Sequence, residues 1–170
     1  MLVLTISIKK SGAVPAAFVL RHPAHFIALG FGSGLSPFAP GTAGTLVAYP
    51  IFLLFPFLAL WAQLAVVTIL FVIGIWACAV TGRALGVVDH SAIVWDEVVA
   101  MLLVLMFTPF GWVWYGIAFL VFRAMDILKP FPIRHADRKI KNGFGVMFDD
   151  LLAAIYSIII IKVIERFIHG

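Results

Sequence analysis

Long apolar stretches broken by short polar ones set the plan of this chain. From Ala43 to Trp61 the sequence AGTLVAYPIFLLFPFLALW carries almost no polar side chain, and from Ala62 to Val80 only Gln63 and Thr68 interrupt AQLAVVTILFVIGIWACAV. Each run is a candidate membrane span, because a helix of about 20 apolar residues crosses about 30 Å of hydrocarbon. Pro50 and Pro56 fall inside the first run and predict a kink or an early end there. Two shorter runs follow, Val98–Phe107 and Trp112–Phe122, with Thr108, Pro109, Phe110 and Gly111 as turn residues between them. Neither reaches across the bilayer unless its helix continues into the polar residues away from the turn. Those ends carry Asp96 and Glu97 on one helix and Arg123 and Asp126 on the other, so a hairpin closed at Pro109 sets the two polar groups side by side. The last run, Leu151–Ile161, continues to about Ile168, with Lys162, Glu165 and Arg166 placed to snorkel to the far interface.

Alternation of these runs puts loops 22–42, 81–96 and 123–150 on one face. Charge agrees with that topology: Lys9, Lys10, Arg21, Arg83, Arg123, Lys129, Arg134, Arg138, Lys139 and Lys141 all fall on it, whereas the turns near Phe57 and Phe110 hold no Lys or Arg. The positive-inside rule then turns this face to the cytoplasm. With 64% hydrophobic residues and a mean hydropathy of +1.13, the chain is far more apolar than the roughly 45–50% of a soluble domain. The expected fold class is all-α: a polytopic membrane helical bundle of about four to five apolar helices, its polar loops gathered on the cytoplasmic face. Residues 1–170 read as one membrane-embedded domain without repeats or linkers. The net charge of +4 suits an anionic lipid bilayer. Nucleic acid is the weaker reading of that charge and is not expected as a partner, since the bases form no aromatic-studded patch, and no obligate protein partner is evident. Cys78 stands alone in an apolar run and forms no internal disulfide. The opening MLVLTISI is followed, not preceded, by Lys9 and Lys10, the reverse of a signal peptide.

Seven of the eight acidic residues, Asp89, Asp96, Glu97, Asp126, Asp137, Asp149 and Asp150, sit between the apolar runs. Carboxylates are costly to desolvate at a membrane, so such a concentration marks a working site. Asp96 and Glu97 lie about 100° apart on a helix, and their hard oxygens suit Mg²⁺; the competing reading is a helix cap or an ion pair with Arg83 or Arg123. Arg123 and Asp126, at i,i+3, either neutralise each other or serve phosphate and metal respectively. Pro130 and Pro132 end that helix and predict an extended segment from which Lys129 and Arg134 project, as a phosphate clamp or as lipid-seeking cations. Asp137 balances the neighbouring bases. Of the pair at the start of the last helix, Asp149 is the expected N-cap and also a candidate ligand, while Asp150 in the first turn points to the metal.

The glycine-rich stretch from Gly30 to Thr45 lacks the endings of a P-loop or a dinucleotide fingerprint. It reads either as an anion site at a helix start, with Ser33 and Thr42, or as a re-entrant loop in which glycines permit close packing. His90, beside Asp89, is a general acid or base, or a loop cap. Cys78 reads as a packing residue, because its spacing to Arg83 is one short of a cysteine-phosphatase loop.

Taken together, Gly-Phe-Gly-Ser-Gly-Leu-Ser-Pro and Pro-Gly-Thr within 30–42, Asp-His at 89–90, Ile-Val-Trp-Asp-Glu at 93–97, Phe-Arg-x-x-Asp-x-x-Lys-Pro-x-Pro-Ile-Arg at 122–134 and Asp-Asp at 149–150 resemble the phosphatidylglycerophosphatase A family, from about residue 22 to 168. The resemblance implies a bacterial inner-membrane enzyme that uses Mg²⁺ to hydrolyse phosphatidylglycerophosphate to phosphatidylglycerol and phosphate. Carried onto this chain, it implies that Asp96, Glu97, Asp126 and Asp150 are catalytic, that these and Asp149 supply metal ligands, and that Arg123, Lys129, Arg134, Ser33 and Thr42 bind substrate. Two other readings stand beside it: a CDP-alcohol lipid phosphotransferase, which needs an Asp-Gly and Ala-Arg pattern not found here, and a small cation carrier or channel subunit, which needs its acids near mid-membrane.

Overall fold

The structure, a computed structural model, describes residues 14–131, 133 and 140–169. Among these residues the fold is all-helical. Two short helices, α1 (Ala16–Val19) and α2 (Pro23–Ala28), lead through a 3₁₀ stretch at Gly30–Leu35 into five apolar helices. These are α3 (Pro40–Phe52), α4 (Leu60–Leu85), α5 (Trp95–Met106), α6 (Trp112–Leu128) and α7 (Gly143–His169). Among the described residues three segments are long and apolar enough to cross a membrane: Pro40–Phe57, Leu60–Leu85 and Gly143–Ile168.

The prolines of the first run act as their chemistry requires. Pro50 lies inside α3, where it has no N–H to offer the carbonyl four residues back and its ring crowds that carbonyl; the helix stops two residues later at Phe52, and Pro56 sits in the 3₁₀ turn Phe55–Phe57 that reverses the chain. Gln63, one of two polar residues in the next run, closes the reversal by donating Nε2 to Phe55 O at 3.0 Å and to Leu58 O at 2.9 Å. Gly86 then ends α4 in the left-handed region at φ 73°, where its N–H and that of Val87 turn back to Arg83 O and Gly82 O.

Helix α5 is the core of the bundle. Val98, Met101, Leu102 and Val104 are fully buried, packed among α3, α4 and α7. Its 12 residues rise only about 18 Å, so it does not cross the hydrocarbon by itself. Both α5 and α6 extend into the polar residues as the short apolar runs demanded, α5 beginning at Trp95 and α6 running to Leu128. The hairpin turn lies at 107–111, and α6 packs chiefly on α7. Close approach elsewhere depends on glycine: a Cβ on Gly44 would strike Val94 at 2.6 Å, and one on Gly34 would overlap the carbonyl of Ala92. These two positions bear out the close-packing role of the glycine-rich loop.

Two expectations are corrected. The last helix begins at Gly143, not at Leu151, and Asn142 caps it by accepting from Gly145 N–H at 2.9 Å. Asp149 is therefore no N-cap; it lies in the second turn. The described chain directly after α6 is also not extended. Lys129 adopts the left-handed region at φ 42°, and Ile133 N–H bonds Pro130 O at 2.8 Å, so the backbone turns directly after the helix. Arg134, Asp137, Arg138 and Lys139 lie outside the described residues.

Candidate active site

The N-termini of α3, α5 and α7 and the C-terminus of α6 meet at one end of the bundle. Asp96 and Glu97 occupy the first turn of α5, where the unpaired N–H groups and helix dipole favour negative charge. Asp150, on the second turn of α7, comes to them from across the core. One ligand oxygen from each of Asp96, Glu97 and Asp150 lies within 4.8 Å of the others. Asp96 is 9% exposed and Asp150 3%, so three like charges are held together with little water to screen them.

Their hydrogen bonding is incomplete. Asp96 Oδ1, Glu97 Oε2 and Asp150 Oδ2 are buried without a hydrogen-bond partner, and so is the donor Nε of Arg123. Buried polar atoms are nearly always paired, and a cluster of unpaired oxygens beside an unpaired guanidinium N–H is one that a cation and an anion together would satisfy. The donor set, three carboxylates without Cys or His, fits a hard divalent cation such as Mg²⁺.

Arg123 is fixed by acids on two helices. Its Nη1 donates to Asp126 Oδ2 at 2.6 Å and lies 3.8 Å from Glu97 Oε1, joining the ends of the hairpin as the run lengths predicted. Asp126 thus turns to Arg123 and is not one of the converging three. Asp149, about 100° round α7 from Asp150, forms a salt bridge with Lys129. Lys129 therefore stands on a carboxylate beside the trio.

Helix α3 contributes a position that the sequence reading passed over. A Cβ on Gly41 would collide with Glu97 Oε1 and sit 3.1 Å from Arg123 Nη1. Only glycine lets the first turn of α3, which has no side-chain cap, lie against the acid and the guanidinium. Its signal lies in Pro40-Gly41-Thr42, where a glycine directly after the helix-opening proline leaves the first turn bare. Among the described residues no hydrogen bond joins Thr42 or Ser33 to the converging carboxylates, and Ser33 Oγ is buried without a partner. His90 is buried, and its Nδ1 accepts the Ala92 N–H at 3.1 Å, the loop-capping role. Cys78 is buried against Met147, Sγ to Sδ 4.0 Å, within the α4–α7 contact.

The phosphatidylglycerophosphatase A family model matches residues 26–165. The chain belongs to this family. It is therefore a phosphatase, a phosphoric monoester hydrolase, which separates it from the transferase and carrier readings. A phosphatidylglycerophosphatase A of Haemophilus influenzae is 45% identical over 148 residues, 86% of this chain and 91% of the relative. That of Escherichia coli is 40% identical over 156 residues, 91% of this chain and 90% of the relative. A Bacteroides thetaiotaomicron protein provisionally named a phosphatidylinositol-3-phosphatase is 45% identical over 152 residues, 85% of this chain and 94% of the relative. No solved structure shows significant similarity.

Proposed function

We propose that this chain hydrolyses phosphatidylglycerophosphate to phosphatidylglycerol and inorganic phosphate, using Mg²⁺ at the cytoplasmic face of the bacterial inner membrane. The observation that carries the reading is the convergence of Asp96, Glu97 and Asp150 with unpaired buried oxygens beside the unpaired Nε of Arg123, in a member of this family. Asp96, Glu97 and Asp150 would hold the cation. When bound, it polarises the phosphoryl group and offsets the charge that grows there in the transition state.

The chain's own groups do the rest. Arg123, braced by Asp126 and Glu97, offers Nε to a phosphate oxygen from a fixed direction, which lowers the cost of orienting the substrate. The uncapped first turn of α3 brings backbone N–H groups to the same place, an arrangement that favours phosphate. Lys129, seated on Asp149, adds a second positive charge beside Asp150. Water is the nucleophile, because a carboxylate engaged as a ligand has little nucleophilicity to spare. It adds to phosphorus as the bond to the glycerol oxygen breaks, and the proton that it gives up ends on that oxygen.

Purified protein in detergent micelles, stripped with chelator, should release no phosphate from phosphatidylglycerophosphate until Mg²⁺ is returned. Asp96→Asn, Glu97→Gln and Asp150→Asn should each lower turnover by about a hundredfold or more with helix content unchanged. Full activity in a metal-depleted sample would overturn the metal assignment. The name of the Bacteroides relative makes phosphatidylinositol-3-phosphate the comparison substrate; faster release from it would move the substrate assignment and leave the chemistry in place.

A further inference from the structure

Asp96, one of the three converging carboxylates, lines an apolar groove of about 280 Å³ between α4, α5 and α7. On α5 the groove follows a single stripe from Asp96 through Val99 to Leu103, about 10 Å of helix rise. On α4 it runs from Leu64 to Phe71. Trp95 Nε1 bonds Leu70 O at 3.1 Å, which fixes the register: Phe71 lies level with Asp96, and the deep end is bounded by Leu64 and Leu103. The outer wall opens to the side of the bundle, where Leu64 is 40% exposed and Thr68 is exposed. Thr68 has its hydroxyl bonded to Leu64 O at 2.8 Å, so its donor is already engaged within α4. Among the described residues Asp96 is the one ionisable side chain lining the space.

We propose that this groove receives one acyl chain of the lipid whose phosphate is cleaved, the lipid reaching it sideways from the bilayer; the assignment rests on the function proposed above. The occupant must be slim, apolar and laterally available along its length, and polar only where the groove meets Asp96. A glycerolipid has that layout. Inside a bilayer a chain gains little by leaving other chains for leucine side chains, since both are equally apolar. The groove therefore acts by position: a chain seated to Leu103 brings its headgroup to Asp96, Glu97 and Arg123 already oriented.

The test compares wild type with Thr68→Trp, which narrows the groove from its outer wall and touches none of the proposed ligands. Phosphatidylglycerol carrying a diazirine midway along one acyl chain should label Leu64–Phe71 and the Leu103 region of wild type, and label them severalfold less in the variant. On long-chain phosphatidylglycerophosphate the variant should lose about tenfold in kcat/KM, while its slow turnover of the deacylated headgroup stays at the wild-type rate. Label spread evenly over the outer helix faces, or equal rates for variant and wild type on the long-chain substrate, would overturn the assignment. So would equal slowing on both substrates with a changed oligomeric state, which would give the groove to a second copy of the chain. Wild type that is labelled in the groove yet releases no phosphate would keep the acyl-chain site and discard the proposed activity.

Discussion

At Gly41 a single methyl group would reach the chemistry. The Cβ of an alanine there would overlap Glu97 and crowd Arg123, and neither can retreat freely because each is bound into the cluster. Gly41→Ala should therefore lower kcat/KM by about tenfold or more, whereas Gly116→Ala, whose Cβ meets nothing within 4 Å, should leave phosphate release unchanged. Equal behaviour of the two would detach α3 from the site. The salt bridge of Lys129 and Asp149 invites a double-mutant cycle. The sequence suggests that Asp149→Asn costs little, since asparagine caps as well as aspartate; with Asn142 as the cap, the same change instead removes the charge that holds Lys129. Asp149→Asn and Lys129→Met should show a coupling of roughly 1–3 kcal/mol in activation free energy, the double variant being little worse than either single one. Strict additivity would separate the two residues.

At the scale of elements, the hairpin could be read from the chain because its apolar runs were too short to stand alone, and the polar residues that complete them were the ones that had to meet. The start of α7 could not. Asp149 and Asp150 look like the carboxylates that open a helix, and Gly143 and Gly145 look like breakers. In the fold Asp149 pairs with Lys129 and Asp150 faces the carboxylates of α5, and the helix, already opened at Asn142, runs straight through both. The glycines serve proximity: a Cβ on Gly143 would strike the carbonyl of Ile75 and sit 2.8 Å from Ala79 N. Because both obstacles are backbone, Gly143→Ala must push α7 from α4 and should destabilise the bundle by about 1–3 kcal/mol, seen as a lower melting temperature in detergent. Cys78→Ala, in the same contact but removing only a sulfur, should keep turnover within a few fold. A loss of about a hundredfold there, with the fold intact, would revive a thiol mechanism.

Across the whole molecule, the periodic return of polar loops to one end was legible because every apolar run reverses direction, and Gly41, Glu97, Arg123 and Asp150 do meet at that end. What no pattern could show was which acids converge, since that depends on rotation of α5 against α7, and sequence spacing gives rotation only within one helix. The side of the membrane is open to experiment. Lys141 is exposed beside the α7 cap, so Lys141→Cys in a Cys78→Ala background should resist an impermeant thiol reagent added to intact cells and react once they are opened. Ready labelling from outside would invert the topology. About 18 Å of core helix and about 25 Å of α6 face hydrocarbon about 30 Å thick, and the turn between them presents Phe110 and Trp112, 92% and 86% exposed. That tip reaches the level of the α3–α4 turn, where Phe110 and Trp112 share a cavity with Leu53 and Pro56, so the shortfall lies at the acidic end, and the surrounding lipid must thin there for headgroups to reach Asp96, at a cost that grows with each added ångström. Turnover in reconstituted bilayers should therefore fall as the host lipid is lengthened by about four carbons per chain, with a flat profile counting against it. Hydrophobic mismatch thus makes membrane thickness an input to catalysis, imposed by a helix that ends after 12 residues.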